Sequence, residues 1–177
     1  TAAMLPNLPL DHPLVLTSKT ALDLDDIPGS LLIIGGGIIG LELGQVYSTL
    51  GTDVSVVEYM PSLIPGADDD IAKPLIRKLK KHFKSIMLSS KVTNVDVGFE
   101  EGVRVSIESN NEIKDQVFDK VLVSVGRKPN TNLLSLENTD IKIDSKGFII
   151  VDDYQKTSVK GIYAIGDILA GKPLLAH

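Results

Sequence analysis

Three glycines, Gly35, Gly37 and Gly40, form the pattern G-x-G-x-x-G within the stretch LIIGGGIIGLELG (residues 32–44). The pattern follows a short apolar run and leads directly into further apolar residues, so it predicts a strand, a tight turn and a helix. In that context the first glycine permits the turn, the second lets a pyrophosphate approach the backbone, and the third lets helix and strand pack closely. The helix N-terminus also offers free N–H groups and partial positive charge to an anion. A tight strand–helix turn without a ligand is the alternative.

Glu58 is placed to select the nucleotide. It ends the predicted second strand, TDVSVVE (residues 52–58), 18 residues after Gly40. A carboxylate at this position accepts hydrogen bonds from ribose hydroxyls, and its charge repels a 2′-phosphate. The following segment, YMPSLIPGADDDIA (59–72), contains no Arg or Lys that could receive such a phosphate. The sequence therefore predicts a preference for NAD over NADP, with a solvated strand end as the alternative for Glu58.

Two further carboxylates have simpler interpretations when each is taken alone. Glu42 lies one turn into the helix after the glycines, where the helix dipole favours a negative charge. Asp167, in the stretch AIGD, suits the cap of a short helix. The chain has no cysteine, which excludes disulfides, thiolate catalysis and thiolate metal ligands. Neither a Ser/His/Asp arrangement nor a metal-ligand spacing is present, so we expect no metal site.

Composition narrows the class of protein. A chain of 177 residues that is 43% hydrophobic and 23% charged is typical of a globular domain with a core of its own. The net charge of −5 argues against nucleic-acid binding, and the lysines of RKLKKHFK (77–84) have the spacing of a solvated helix face. The longest apolar run, residues 31–41, is too short to span a bilayer. We expect a cytoplasmic protein without a signal peptide or membrane contact.

The elements around the glycine turn predict a nucleotide-binding sheet. Residues 1–30 are rich in proline and leucine, and they predict an extended connector. Buried strands are expected at 31–34, 52–58 and 119–126, and helices at 38–51 and 68–83, with Pro74 either delaying the start of the second helix or kinking it. The order of elements predicts an α/β fold, a Rossmann-type doubly wound parallel sheet.

An insertion and a return segment complete the predicted organisation. Three stretches of alternating polarity, separated by turn residues, predict an antiparallel three-stranded insertion at 91–97, 102–109 and 112–119. After the last buried strand, a loop precedes a predicted strand pair at 141–144 and 147–152. The stretch GIYAIGDILAG (161–171) predicts a final strand that runs into a turn.

Several of these stretches together resemble the flavin-dependent pyridine nucleotide-disulfide oxidoreductases. They are GGGIIGLELGQVYSTLG, VSVVE, VGRKPNT, GFIIVDDYQKTSVKGIYAIGD and the closing LLAH. Within that family the sequence is most similar to the flavoprotein of the 2-oxoacid dehydrogenase complexes. The resemblance implies a homodimeric oxidoreductase, associated with such a complex, that uses both FAD and NAD. It also implies that electrons pass from dihydrolipoamide to a redox-active cysteine pair, to FAD, and finally to NAD.

The resemblance assigns roles to individual positions. It implies that NAD is held in four places. The pyrophosphate would lie in a cradle formed by Gly35, Gly36, Gly37, Ile38 and Ile39, beside Gly40. Glu58 would contact the ribose and Val92 the adenosine, and the nicotinamide side would be formed by Ser124, Val125, Gly126 and Arg127. It places Glu42 near the flavin N5 and the nicotinamide, normally paired with a lysine of the flavin domain. It implies FAD contacts for Asp167, through the ribityl chain, and for Ala176.

The sequence also departs from the family pattern. The first glycine motif, the C-x-x-x-x-C pair and the H-x-x-x-x-E pair of the family are not found in it. We therefore expect a central fragment of such an enzyme, inactive alone. Its expected parts are a connector with partial FAD-domain strands (1–29), an NAD-binding domain (30–126) and an incomplete return segment toward the FAD domain (127–177). The alternatives are the same region of another flavin disulfide reductase, or a freestanding NAD-binding module that senses or regulates.

Overall fold

The structure, a computed structural model, describes residues 8–171, which divide after Gly126 into two compact units. The first unit contains all the strands and α-helices of the described residues. They are β1 (Val15–Thr17), β2 (Ser30–Ile34), α1 (Ile38–Thr49), β3 (Asp53–Val57), α2 (Asp69–His82), β4 (Ser85–Met87), β5 (Ser90–Asp96), β6 (Val103–Ser109), β7 (Glu112–Phe118) and β8 (Lys120–Val123). Within residues 8–171, no helix combines the length and the apolar character needed to cross a membrane.

The first unit is built on a parallel sheet with the strand order β1-β8-β2-β3-β4. The chain passes from β2 to β3 on one side, whereas β8 lies on the other side of β2. The carboxyl end of β2 is therefore the point where strand order reverses, which is where open α/β sheets bind ligands. Strands β5, β6 and β7 form a separate antiparallel sheet. The predicted fold class, a Rossmann-type sheet with a three-stranded antiparallel insertion, is confirmed.

Strand β2 is buried on both faces, which explains its continuous apolar sequence. Leu31 and Ile33 pack in one core cluster with side chains of both helices. Leu32 and Ile34 belong to a second cluster, which they share with the inward-facing side chains of the antiparallel sheet. All four are at most 5% exposed. Alternate residues thus face opposite layers, as the pleat of a strand requires, and neither layer admits a polar residue.

The N-terminal segment is more ordered than the sequence predicts. Within the segment that the sequence predicts as a connector with partial strands, β1 pairs in parallel with β8 and buries Val15 and Leu16. A 3₁₀ helix at Thr20–Leu22 follows, and the Ala21 carbonyl accepts a hydrogen bond of 2.9 Å from the Tyr47 hydroxyl. Burial raises the pKa of Tyr47, as do the nearby carboxylates of Asp26, Asp25 and Asp23, so this phenol stays a hydrogen-bond donor.

Helix α2 passes through Pro74. The sequence allowed a late start, but the helix already begins at Asp69, so that expectation is wrong. Proline removes one backbone N–H from the helix. Charged residues at the two ends of the helix offset this cost. The first turn contains Asp69 and Asp70, and the last turn contains Lys80, Lys81 and His82. Negative charges at the N-terminus and positive charges at the C-terminus both interact favourably with the helix dipole. The short strand β4 follows and was not predicted.

The second unit contains turns where strands were expected. The predicted strand pair is reduced to one antiparallel bridge between Ile143 and Ile149, and the later segment forms only single bridges, Ile149 with Leu169 and Lys156 with Tyr163. The two stretches of the predicted pair therefore do meet, but they form no strands, and the predicted final strand at 161–171 is also absent. Left-handed φ angles occur at Gly147, Gln155, Gly161 and Gly166, and the one at Gly166 interrupts the predicted final strand.

Replacing a core leucine of the parallel sheet tests this packing. Leu122 is 0% exposed on β8, an interior strand of the parallel sheet, whereas Leu22 is 68% exposed. We expect Leu122→Ala to lower the free energy of unfolding by about 2–5 kcal/mol, because it leaves a cavity. Leu22→Ala should change it by less than about 0.5 kcal/mol. Urea unfolding followed by circular dichroism gives both values, and an equal loss in the two variants would contradict the described core.

Candidate functional site

The turn after β2 accepts only glycine at its first position. Gly35 has a φ of +105°, and a Cβ there would lie 2.6 Å from the carbonyl oxygen of Ser124. Its N–H donates a hydrogen bond of 2.9 Å to the Val57 carbonyl. The turn is therefore pressed against the end of β8 and tied to the end of β3. A side chain at position 35 would meet both a disfavoured backbone conformation and a steric clash.

Gly37 caps helix α1 and faces open space. Its backbone is extended (φ −77°, ψ 176°), and no side chain caps the helix through it. A Cβ built on Gly37 meets no atom within 4 Å. The first turn of α1, which begins with Ile38 and Ile39, contains no acidic residue. Uncapped N–H groups at the start of a helix, with free space in front of them, form an anion-binding geometry.

The carboxylate of Glu58 is fixed beside this turn. It is 7% exposed. One oxygen, Oε2, accepts a hydrogen bond of 2.6 Å from the Gly36 N–H, and the other, Oε1, accepts one of 2.7 Å from the Met60 N–H. Each carboxylate oxygen has a second lone pair. The group is therefore held in place by the backbone, and the two described hydrogen bonds use one lone pair of each oxygen.

Gly40 lies where α1 crosses the sheet. A Cβ at this position would lie 2.4 Å from Ser124 Oγ and 2.6 Å from the Gly35 carbonyl oxygen. Ser124 Oγ lies 3.1 Å from the carbonyl oxygens of both Ile34 and Gly35, which share its single proton. The serine hydroxyl thus holds the start of the glycine turn by hydrogen bonding to its carbonyl groups. The sequence did not predict this contact.

A loop after Glu58 closes over the turn and was also missed. Leu63 is 1% exposed, and its Cδ2 would lie 2.5 Å from a Cβ at Gly36. The Ile64 N–H donates a hydrogen bond of 2.9 Å to the Gly36 carbonyl. Gly36 therefore also has no room for a side chain. The only sequence signal is an apolar pair, Leu63 and Ile64, inside a proline- and glycine-containing segment.

The other predicted site residues of the first unit have no described hydrogen bond or clash with the glycine turn. Val92, on β5, and Val125 are half-buried and pack against the second core cluster. Gly126 is exposed, with a φ of +126°. Glu42 is exposed on α1. The structure therefore brings the glycines, Glu58 and Ser124 into one constellation, and it leaves the other assigned roles as predictions.

Two predicted residues meet in the second unit. Arg127 Nε lies 3.1 Å from Asp167 Oδ2, but this buried N–H lacks the alignment of a hydrogen bond, so the contact is an ion pair. Asp167 does not cap a helix, contrary to its simpler interpretation. Ala176 lies outside the described residues. Among residues 8–171, no group of three or more His, Cys, Asp or Glu side chains is arranged to hold a metal ion.

The chain matches the family model described as pyridine nucleotide-disulphide oxidoreductase over residues 3–177. A dihydrolipoyl dehydrogenase of Vibrio cholerae is 45% identical to it over 174 residues. That alignment covers 98% of this chain and 36% of the relative. The chain thus spans little more than a third of the length of this curated relative.

Two solved structures resemble the fold of this chain. The HOCl-induced flavoprotein disulfide reductase RclA of Escherichia coli, in its Cu(II) complex, superposes with a TM-score of 0.82 at 30% identity, over 97% of this chain and 38% of that one. A water-forming NADH oxidase of Lactobacillus brevis, bound to NADH, gives a TM-score of 0.75 at 26% identity, over 94% of this chain and 37% of that one.

Alanine should lower the stability of the fold at Gly40 but not at Gly37. We expect Gly40→Ala to destabilise the fold by about 1–3 kcal/mol, because its Cβ would overlap the Gly35 carbonyl and Ser124. Gly37→Ala should leave stability within about 0.5 kcal/mol, because its backbone suits any residue and its Cβ meets open space. Thermal unfolding of the two variants measures the difference. Equal melting temperatures would show that the helix does not approach the sheet as described.

Proposed function

Because the chain belongs to the pyridine nucleotide-disulphide oxidoreductase family, we propose that residues 30–126 bind NAD, as the NAD-binding part of a dihydrolipoyl (dihydrolipoamide) dehydrogenase. The observation that carries this proposal is the buried Glu58 carboxylate, held by the Gly36 N–H beside the uncapped start of α1. The end of the first compact unit after Gly126 supports the proposed domain boundary. The divisions at 1–29 and 127–177 remain predictions.

The residues fit the two polar parts of the adenosine half of NAD. The pyrophosphate would lie in front of Gly37, where Gly35, Gly36, Ile38 and Ile39 complete the cradle. The ribose hydroxyls would donate to the free lone pairs of Glu58. A 2′-phosphate would instead meet the fixed charge of this carboxylate, so NAD is favoured over NADP. The likeness to an oxidase that was solved with NADH supports the same choice.

Among the flavin disulfide reductases, dihydrolipoyl dehydrogenase is the best-supported member. Identity is 45% to the Vibrio cholerae enzyme, against 30% to the HOCl-induced reductase and 26% to the NADH oxidase. We therefore propose that the intact protein oxidises dihydrolipoamide, works as a homodimer and associates with a 2-oxoacid dehydrogenase complex. A cytoplasmic location remains a prediction from the sequence.

In the intact protein, NAD would supply the final hydride acceptor. The residues of this chain bind that nucleotide and fix its orientation through the glycine turn and Glu58. The charge of Glu58 disfavours a nucleotide with a 2′-phosphate on the ribose. Glu42, Val92 and the positions from Ser124 to Gly126 are proposed to line the rest of the site. FAD contacts are proposed only for Asp167, which is paired with Arg127, and for Ala176. The chain itself has no cysteine for the disulfide step.

Substituting Glu58 tests the nucleotide preference. We expect Glu58→Ala to weaken NADH binding about ten- to a hundredfold, because charge-assisted hydrogen bonds to the ribose are lost. Glu58→Gln keeps a hydrogen-bond acceptor but removes the negative charge, so it should reduce the difference in affinity between NADH and NADPH. Isothermal titration calorimetry with both nucleotides measures these effects, since the chain has no Trp for energy transfer.

Glu101→Gln is the matched control, because Glu101 is an exposed glutamate on the antiparallel sheet side of the same unit. It should bind both nucleotides as the parent chain does. Circular dichroism separates lost binding from lost folding, since the Glu58 variants also leave the Gly36 and Met60 N–H groups without their acceptor. Equal affinities of the parent chain for NADH and NADPH would refute the proposed function of Glu58.

The 177-residue chain should not reduce lipoamide. It contains no thiol, and thiol–disulfide exchange requires a thiolate to form the mixed disulfide. A steady-state assay with NADH, FAD and lipoamide is expected to match a control of buffer and flavin. Turnover above that control, in protein free of contaminating reductase, would show that the chemistry needs no cysteine pair.

A further inference from the structure

The peptide plane between Gly36 and Gly37 is held from one side only. Its carbonyl oxygen, that of Gly36, accepts a hydrogen bond of 2.9 Å from the Ile64 N–H. Its N–H, that of Gly37, donates no described hydrogen bond within residues 8–171. The peptide is trans, and the carbonyl and N–H of a planar trans peptide point in opposite directions. The bond from Ile64 therefore directs the Gly37 N–H away from the loop that carries Ile64.

Ile64 makes this bond from a backbone conformation that its own sequence opposes. Its φ angle is +50°, in the left-handed region that a β-branched residue rarely adopts. Ile64 also precedes Pro65, and both a β-branched side chain and a following proline favour an extended backbone. Because local preferences disfavour the observed conformation, contacts with the rest of the fold must impose it.

The core of the first unit supplies those contacts. The Leu63 side chain is 1% exposed and belongs to the first core cluster. The half-buried side chain of Ile64 packs against the same cluster, and the Ile64 carbonyl accepts a hydrogen bond of 3.1 Å from the Ala67 N–H. The position of the Ile64 N–H is therefore set by the packed core and not by the local sequence.

We propose that Ile64 is a positioning residue for the pyrophosphate: its backbone N–H holds the Gly36–Gly37 peptide in the orientation in which the Gly37 N–H can donate to the anion. This inference rests on the proposed function, since it requires a pyrophosphate in front of Gly37. A peptide between two glycines lacks the restrictions that a Cβ imposes on backbone rotation. Without the bond from Ile64, ligand binding would have to fix that rotation, which costs affinity. Ile64 thus strengthens the binding of pyrophosphate ligands without contacting them.

Replacing the Ile64 amide by an ester, through the α-hydroxy analogue of isoleucine, tests this role in the 177-residue chain. The ester removes the N–H and keeps the side chain. Calorimetry compares NADH with ADP-ribose, which has the adenosine, the pyrophosphate and a second ribose but no nicotinamide. Both should bind about five- to fiftyfold more weakly, because one hydrogen bond to a charged group is weakened. Adenosine, which has no phosphate, should bind within about twofold of the parent in an NMR titration, since the Gly36 N–H still holds Glu58.

Two further variants separate the N–H from other effects. Ile64→Gly keeps the N–H and suits a positive φ, so it should bind ADP-ribose within about threefold of the parent chain. The same ester replacement at Thr139 is the matched control. It removes an N–H that donates to the Leu136 carbonyl at 2.9 Å in the second unit, and it should leave the affinities for ADP-ribose and adenosine unchanged.

The outcomes distinguish the positioning role from the proposed function. Parental ADP-ribose affinity in the Ile64 ester, or an equal loss for ADP-ribose and adenosine, would overturn the positioning role while leaving NAD binding intact. An Ile64→Gly variant as weak as the ester would also overturn it, because the side chain and not the N–H would then determine affinity. A parent chain that binds neither NADH nor ADP-ribose would instead refute the proposed function.

Discussion

The hydrogen bond from the Gly36 N–H to Glu58 Oε2, 2.6 Å long and buried, joins the two parts of the site. It connects the turn after β2 to the end of β3, and the Met60 N–H holds the second oxygen of the same carboxylate. A buried carboxylate needs such donors, because without them its desolvation would be costly. The same two donors leave one lone pair on each oxygen for a ligand. One interaction therefore stabilises the glycine turn and fixes the position of the carboxylate that we propose to select the nucleotide.

Steric constraints decide the rest of the geometry. The turn lies at the point where the strand order of the parallel sheet reverses, with β8 on one side and β3 on the other. Around it, the neighbouring backbone and side chains leave no room for a Cβ at Gly35, Gly36 or Gly40, whereas the space in front of Gly37 is free. Gly35, Gly36 and Gly40 thus permit close packing within the protein, whereas Gly37 leaves open space in front of the helix N-terminus. The Ser124 hydroxyl supports this arrangement by donating to the carbonyls of the turn.

Local patterns could be predicted from the sequence, and distant contacts could not. The strand–turn–helix around the glycines and the antiparallel sheet follow from periodicity and glycine spacing, so both were predicted. Strands β1 and β4 have three residues each, too few for any period, and they exist because parallel neighbours supply their hydrogen bonds. Ser124 lies 89 residues from Gly35, so its contact depends on the folded sheet. The pairing of Arg127 with Asp167 likewise joins two motifs that the sequence assigned to different cofactors.

Backbone amide NMR during titration with NADH tests whether the glycine turn and the start of α1 hold the nucleotide pyrophosphate. If they do, the amide resonances of Gly37, Ile38 and Ile39 shift and saturate together, because these N–H groups face the anion. The amide of Gly102, in the turn between β5 and β6, should not move. Saturable shifts confined to other parts of the chain, or binding that leaves Gly37, Ile38 and Ile39 unchanged, would show that the pyrophosphate does not bind at the glycine turn.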